Sequence, residues 1–299
     1  MGMNELEQLG RFFPGSRIGV LLVHGLAGTP TELSGAARHL NRFGFTVLCP
    51  LLAGHCGTMD DLVATTWHDW AESAANAFER LYEHMDVVFV GGLSAGSVLC
   101  LYLAERYGKK VRGLALYSTT LRYNGWSIPK TRVFLPLILH IPYIGKRYRF
   151  METFPYGIKN EKLRKRIVAH LQSGDPSVAG LDGTPGTSLR ELWHMVDAVK
   201  KGMPDITSPA LLVHARHDDI AHMDNALEVQ RRVGGKAALM LLEDSYHLIT
   251  IDQERHKVFN ATGLFFHELL DAAERRTLES HAAAPMPTRQ EAGADAWRL

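Results

Sequence analysis

Gly92-Leu93-Ser94-Ala95-Gly96 follows, after Gly91, on the run Asp86-Val87-Val88-Phe89-Val90. A buried strand that runs into a serine between two glycines predicts a sharp turn with the hydroxyl exposed above a sheet. Such a turn leaves no room for side chains two residues before and two after the serine, and Gly92 and Gly96 fill those places. Val98, Leu99, Leu101, Leu103 and Ala104 then predict a buried helix. Its N-terminus would face Ser94, where the dipole and free amides favour negative charge. The plainer alternative is a glycine-rich turn with a capping serine. The place of the motif between strand and helix favours a nucleophile.

A serine hydroxyl is a weak nucleophile. It needs a base within hydrogen-bond reach, and the base needs a carboxylate to fix its tautomer and stabilise its charge. Two later segments supply those types. Ala215-Arg216-His217-Asp218-Asp219 follows one apolar run, and Glu243-Asp244-Ser245-Tyr246-His247 follows another. His247 would take the proton of Ser94 at Nε2, and Asp218 would hold its Nδ1. With fifteen histidines in the chain, no single one is informative. Asp218 and Asp219 taken alone read equally well as capping or loop acids. His214, His217 and His222 match no metal-binding spacing, so no metal is expected. Three residue types in order, each at the end of a strand, together point to a catalytic set. Attack on a carbonyl also develops an oxyanion that needs preorganised donors. One is expected from the N–H of Ala95, the other from the His24-Gly25-Leu26 loop through the N–H of Leu26. His24 itself is expected to be structural.

The elements that must position these groups alternate. Residues 18–23 read as a strand buried on both faces, followed by a helix over 31–43 and a strand over 45–49. Residues 51–66 read as a loop. A helix over 67–84 leads to the serine strand, and a further strand covers 111–117. The rhythm stops at Ser118 and resumes at Pro209, with strands over 210–214 and 237–242 and helices over 224–233 and 254–273. Short strands alternating with helices predict an α/β fold with a mostly parallel sheet flanked by helices. The expected division is a first core part, 1–118, a helical cap insertion, 119–208, and a second core part, 209–276. A tail, 277–299, rich in Ala, Pro and polar residues, is expected to be disordered.

Composition narrows the function. The chain has 299 residues, 46% hydrophobic and 22% charged, with net charge +1. That balance makes no case for nucleic acid. No apolar run is long enough to span a bilayer, and residues 1–14 lack a signal-peptide core, so the expected compartment is the cytoplasm. Cys49, Cys56 and Cys100 form an odd set without metal-like spacing.

The order serine, acid, histidine is that of α/β hydrolases. The chain resembles their bacterial carboxylesterase and monoacylglycerol-lipase group. The resemblance is carried by Leu22-Val23-His24-Gly25-Leu26-Ala27-Gly28-Thr29, Leu52-Ala53-Gly54-His55, Thr66-Trp67-His68-Asp69-Trp70, the serine motif, His214-Ala215-Arg216-His217-Asp218 and Ser245-Tyr246-His247-Leu248-Ile249-Thr250-Ile251-Asp252. It covers most of the core. It implies an α/β-hydrolase fold, the acid at Asp218 rather than Asp219, oxyanion donors at Leu26 and Ala95, and no cofactor. Gly54-His55-Cys56 departs from the group's usual Gly-His-Gly. The insertion shows no such match.

Within the insertion, 133–144 is nearly all apolar, and Lys146, Arg147, Arg149, Lys159, Lys162, Arg164, Lys165 and Arg166 face only Glu152 and Glu161. The apolar run reads as a packed cap helix or an acyl-chain wall. Beside the basic cluster it also allows weak peripheral membrane contact, although a solvated face is the commoner use of such a cluster. The expected function is hydrolysis of small carboxylic esters, short to medium acyl esters or monoacylglycerols, through an acyl-enzyme. The rivals are a thioesterase or acyltransferase on an acyl carrier, and a hydrolase fold that only binds its ligand.

Overall fold

The computed structural model describes residues 4–129, 131, 135, 139, 147–151, 153–173, 181 and 183–293. In chain order its strands are β1 (Gly10–Phe13), β2 (Ile18–Val23), β3 (Thr46–Pro50), β4 (Val87–Leu93), β5 (Val111–Tyr117), β6 (Arg149–Phe150), β7 (Thr184–Pro185), β8 (Ala210–Ala215) and β9 (Ala237–Leu242). The helices are α1 (Asn4–Leu9), α2 (Ser34–Arg42), α3 (Met59–Val63), α4 (Trp67–His84), α5 (Ala95–Tyr107), α6 (Glu161–Ser173), α7 (Gly186–Gly202), α8 (Asp224–Arg232), α9 (Arg255–Glu268) and α10 (Ala272–Glu279).

β2 and β4 are buried at every position, as their unbroken apolar sequence requires. The main sheet has the order β1-β3-β2-β4-β5-β8-β9. Every neighbouring pair is parallel except β1 with β3. Each face is covered. Trp70 and Phe78 of α4 and Leu99 and Leu101 of α5 cluster with Leu21, Val23, Val88 and Val90. On the other face Leu40 of α2 and Phe259 and Phe266 of α9 cluster with Val20, Leu22 and Phe89. The rings of Phe89 and Phe266 stack with centroids 4.3 Å apart. Burying one such side chain stabilises the fold by about 1.5–3 kcal/mol, so the two layers hold the sheet rigid under the loops at its carboxyl ends. Those loops carry the candidate residues, in the place where open α/β sheets bind ligands.

Four elements differ from expectation. Residues 10–13 form an edge strand, too short to show an alternating pattern. The loop 51–66 contains α3, started by a reciprocal cap in which Asp61 accepts from the Thr58 N–H and the Thr58 hydroxyl accepts from the Asp61 N–H. The helix expected over 31–43 begins as a 3-10 turn, Pro30–Leu33, before α2. The expected disordered tail is a correction: α10 runs across its boundary, and 280–293 folds back onto α2. The N–H groups of Ala283 and Ala284 donate to the Arg42 carbonyl at 2.8 and 2.9 Å. Leu278 and Ala292 are fully buried beside Phe43 and Phe259. Sparse apolar side chains anchor this stretch, and its Ala- and Pro-rich composition hides them.

Between β5 and β8 the chain adds the two-stranded ribbon β6–β7 and helices α6 and α7. Of the apolar run 133–144, only Leu135 and Leu139 fall among the described residues, and Leu139 is fully buried. The basic cluster is partly used internally. Lys159 pairs with Asp244 at 2.7 Å, Lys165 pairs with Glu161 at 2.7 Å, and Arg164 lies 4.5 Å from the Phe154 ring centroid. Among the described residues no helix is long and apolar enough to cross a membrane.

Candidate active site

Ser94 sits between β4 and α5 with φ 57° and ψ −118°, in the left-handed half of backbone space. Its neighbours explain how that conformation survives. A Cβ on Gly96 would lie 2.2 Å from the Val23 carbonyl oxygen, and one on Gly92 would lie 2.6 Å from the Gly96 carbonyl carbon. The Ser94 N–H donates to the Tyr117 carbonyl at 2.9 Å. The Ser97 hydroxyl lies 2.6 Å from the Gly92 carbonyl oxygen and 3.0 Å from that of Tyr117, which pins the turn to β5. Gly96→Ala is expected to lower stability by roughly 1–3 kcal/mol or more, because the obstacle is backbone and cannot rotate away. A thermal melt against wild type checks this, and an unchanged melting temperature would show that the turn is looser than described.

His247 lies on the loop between β9 and α9. Its Nδ1 is 2.8 Å from Asp218 Oδ2 and 3.1 Å from Oδ1. Asp218 also accepts from the N–H groups of Ile220 and Ala221 at 2.8 and 2.7 Å. Behind it stands His214, fully buried, with Nε2 2.7 Å from the Ala221 carbonyl oxygen and 3.3 Å from Asp218 Oδ2. Donation to that carbonyl places the proton on Nε2. Burial works against the charge of Asp218, but His247 and His214 beside it outweigh burial and hold its carboxyl well below the usual range. A depressed folded pKa adds stability at pH above the ordinary carboxylate range, which is lost only as pH falls through the lowered value. Asp218 is therefore an anion wherever an imidazole base can act.

Asp219 points elsewhere. Its carboxylate accepts from the N–H of His247 at 3.2 Å and from that of Gly157 at 3.0 Å. Both aspartates are buried, so Asp219 is no solvated loop acid.

Ser94, His247 and Leu26 line one cleft that opens to solvent. Leu93, Phe150, Ile167, Leu181, Ile220 and Leu248 give it apolar walls, with Glu32, Tyr123, Tyr156 and Thr184 as polar neighbours. Ala95 opens α5, where the first N–H groups have no intrahelical acceptor. The Leu26 loop is tied to the insertion through Leu181, whose N–H donates to the Ala27 carbonyl at 3.0 Å. Beneath it His24 is buried, its Nε2 accepting from the Leu52 N–H at 3.3 Å. Burial, aided by His55, lowers its pKa to about 3, so it is a neutral structural residue.

Sequence reasoning missed Thr120. Its hydroxyl lies 3.0 Å from Ser94 Oγ and 3.1 Å from the Ser118 carbonyl oxygen. A threonine just past a strand carries no motif, and only the fold brings it to Ser94. Asp252 closes the Ser245–Asp252 motif, which by itself assigns it no role. It is fully buried and accepts three backbone N–H groups, those of Lys159, Asn160 and Tyr246.

Comparison with known proteins agrees with this architecture. Residues 15–254 match the serine aminopeptidase S33 family, Hydrolase_4. The chain is 26% identical over 250 residues to a thermostable monoacylglycerol lipase of Bacillus sp. (strain H-257), covering 83% of this chain and 90% of that one. It is 24% identical over 259 residues to a carboxylesterase of Bacillus subtilis (strain 168), covering 86% and 95%. Among solved structures, one described with the metagenome-derived lipolytic enzymes LipS and LipT superposes with a TM-score of 0.73 at 26% identity, covering 86% of this chain and 96% of that chain. The chain thus belongs to the serine aminopeptidase S33 family of the α/β-hydrolase superfamily, in its carboxylesterase and monoacylglycerol-lipase group, and is a serine hydrolase of lipase and esterase type.

Proposed function

We propose that the protein hydrolyses carboxylic esters through an acyl-enzyme on Ser94, with His247 as base and Asp218 as its orienting acid. One observation carries the reading: the strained Ser94 and the Asp218-held His247 open into the same cleft. Ser94 Oγ attacks the ester carbonyl, and its proton passes to His247 Nε2. Asp218 keeps the Nδ1 proton in place and stabilises the imidazolium. The N–H groups of Leu26 and Ala95 hold the oxyanion. His247 then protonates the departing alcohol. In the second half, water attacks the acyl carbonyl with His247 again as base, and Ser94 leaves with its proton restored.

A cleft of mixed polar and apolar lining suits a substrate with both parts, a short to medium acyl ester or a monoacylglycerol. The insertion acts as a cap over the cleft. Exposed Trp126, Met151 and Phe154 allow weak peripheral contact with a membrane, and the proposed compartment is the cytoplasm. Thioester cleavage shares the same machinery. A series of p-nitrophenyl esters from two to sixteen carbons, run beside acyl thioesters of matched length, separates the readings. Preference for the oxygen esters with an optimum at short or medium length supports the proposal. Turnover of thioesters alone would replace it with a thioesterase, and tight binding without turnover with a ligand-binding protein.

A further inference from the structure

Two buried carboxylates outside the proposed Ser94–His247–Asp218 set share one arrangement. Asp219 accepts one N–H from the insertion, at Gly157, and one from the loop of the base, at His247. Asp252 accepts the N–H groups of Lys159 and Asn160, at 2.8 and 2.9 Å, and that of Tyr246, at 2.9 Å. Each carboxylate thus bridges the same two segments, and at adjacent positions. A direct bond joins them as well, from the Leu248 N–H to the Gly157 carbonyl at 2.8 Å. At the rim, Lys159 pairs with Asp244.

Burying a carboxylate is costly unless its oxygens are satisfied. Here that cost is offset only while both segments are in place, since removing either leaves a buried anion short of donors. The contact is also tight. Gly157 has φ +70°, and a Cβ there would come within 3.0 Å of Leu248 Cγ and 3.2 Å of His247 Cβ. The main chain of His247 is thereby fixed on two sides: Asp219 takes its N–H, and the Ser118 hydroxyl donates to its carbonyl at 2.7 Å. Asp218 controls the ring.

We propose that Asp219 and Asp252 are positioning residues that clamp segment 157–160 of the insertion to loop 246–248, so that the seat of the insertion sets the place of the His247 imidazole. This rests on the reading of His247 as the base. Asp219 then acts on the reaction through the backbone of His247, a role distinct from that of Asp218. The clamp makes the base a shared part of core and insertion, and the insertion cannot shift at 157–160 without moving His247.

The test compares wild type with Asp219→Asn, Asp252→Asn and Gly157→Ala. Three quantities are read: the rate of Ser94 phosphonylation by a fluorophosphonate, kcat and KM on a short p-nitrophenyl ester, and the melting temperature. The phosphonylation rate reports base-assisted nucleophilicity whatever the natural substrate. An asparagine keeps one acceptor oxygen but turns an NH2 toward an N–H, so the clamp loosens without a large change of volume. The expected result for each variant is a fall of about ten- to a hundredfold in kcat and in phosphonylation rate, per folded molecule, with KM within about twofold. A purely structural role would lower the melting temperature and leave both rates per folded molecule unchanged, and that result overturns the proposal. A rise in KM alone overturns it too, because the segment would then only hold substrate. If Asp252→Asn does not fold, Asp219→Asn and Gly157→Ala decide. A wild-type protein that neither hydrolyses esters nor reacts with the fluorophosphonate would instead refute the assignment of the nucleophile and base.

Discussion

Asp218→Asn is expected to lower kcat by about 10⁴-fold while the fold stays intact. The amide retains the size of the carboxylate but offers His247 Nδ1 either a neutral oxygen or an NH2. In the second case the imidazole adopts the wrong tautomer, with its proton on Nε2 where the Ser94 proton must go. In the first, the imidazolium formed during attack loses its counter-charge. Asp218 also accepts the Ile220 and Ala221 N–H groups and lies beside His214, so some loss of stability accompanies the substitution. The comparison that matters is with Asp219→Asn, measured on the same ester. The ring-holding role predicts the larger loss at Asp218 by about a hundredfold or more, since Asp219 bonds the main-chain N–H of His247. The reverse ranking would mean that Asp219 is the acid and the described geometry is not the working one.

His247→Ala and Ser94→Ala are each expected to lower kcat by about 10⁵–10⁶-fold, and the double variant to be no worse than either single one. The two groups act as a unit. Without the base the hydroxyl is a poor nucleophile, and without the hydroxyl the base has no proton to take. The residue of activity should come from substrate binding and the Leu26 and Ala95 amides alone. Steady-state rates of the three variants form a double-mutant cycle. Losses that multiply would show independent roles and would break the assignment of one proton path from Ser94 to His247.

The sheet was legible because strands buried on both faces must be apolar throughout, and 18–23, 87–93, 111–117 and 210–215 are nearly so. The serine turn was legible because steric demand restricts Gly92 and Gly96 by residue type. Asp219 and Asp252 were not legible as buried groups. Their burial comes from segment 157–160 packing across the loop of His247, a contact nearly one hundred residues away in the chain for each of the Asp252 bonds to Lys159 and Asn160. Thr120 was hidden because it carries no motif, and only the pairing of β4 with β5 brings it beside Ser94. α3 had a readable signal in Thr58 and Asp61, masked by the glycines just before it. The folded stretch 277–293 went unseen because a few buried side chains, Leu278 and Ala292 among them, outweigh a composition typical of disorder.

The central claim is that Ser94 is the nucleophile of an ester hydrolase. Its most direct test is hydrolysis of the p-nitrophenyl ester series by wild type and by Ser94→Ala, with matched folding verified by circular dichroism. The account predicts clear turnover by wild type at short or medium chain length and loss of that turnover in Ser94→Ala. Equal turnover by the two proteins, or none by wild type at any length, would contradict it.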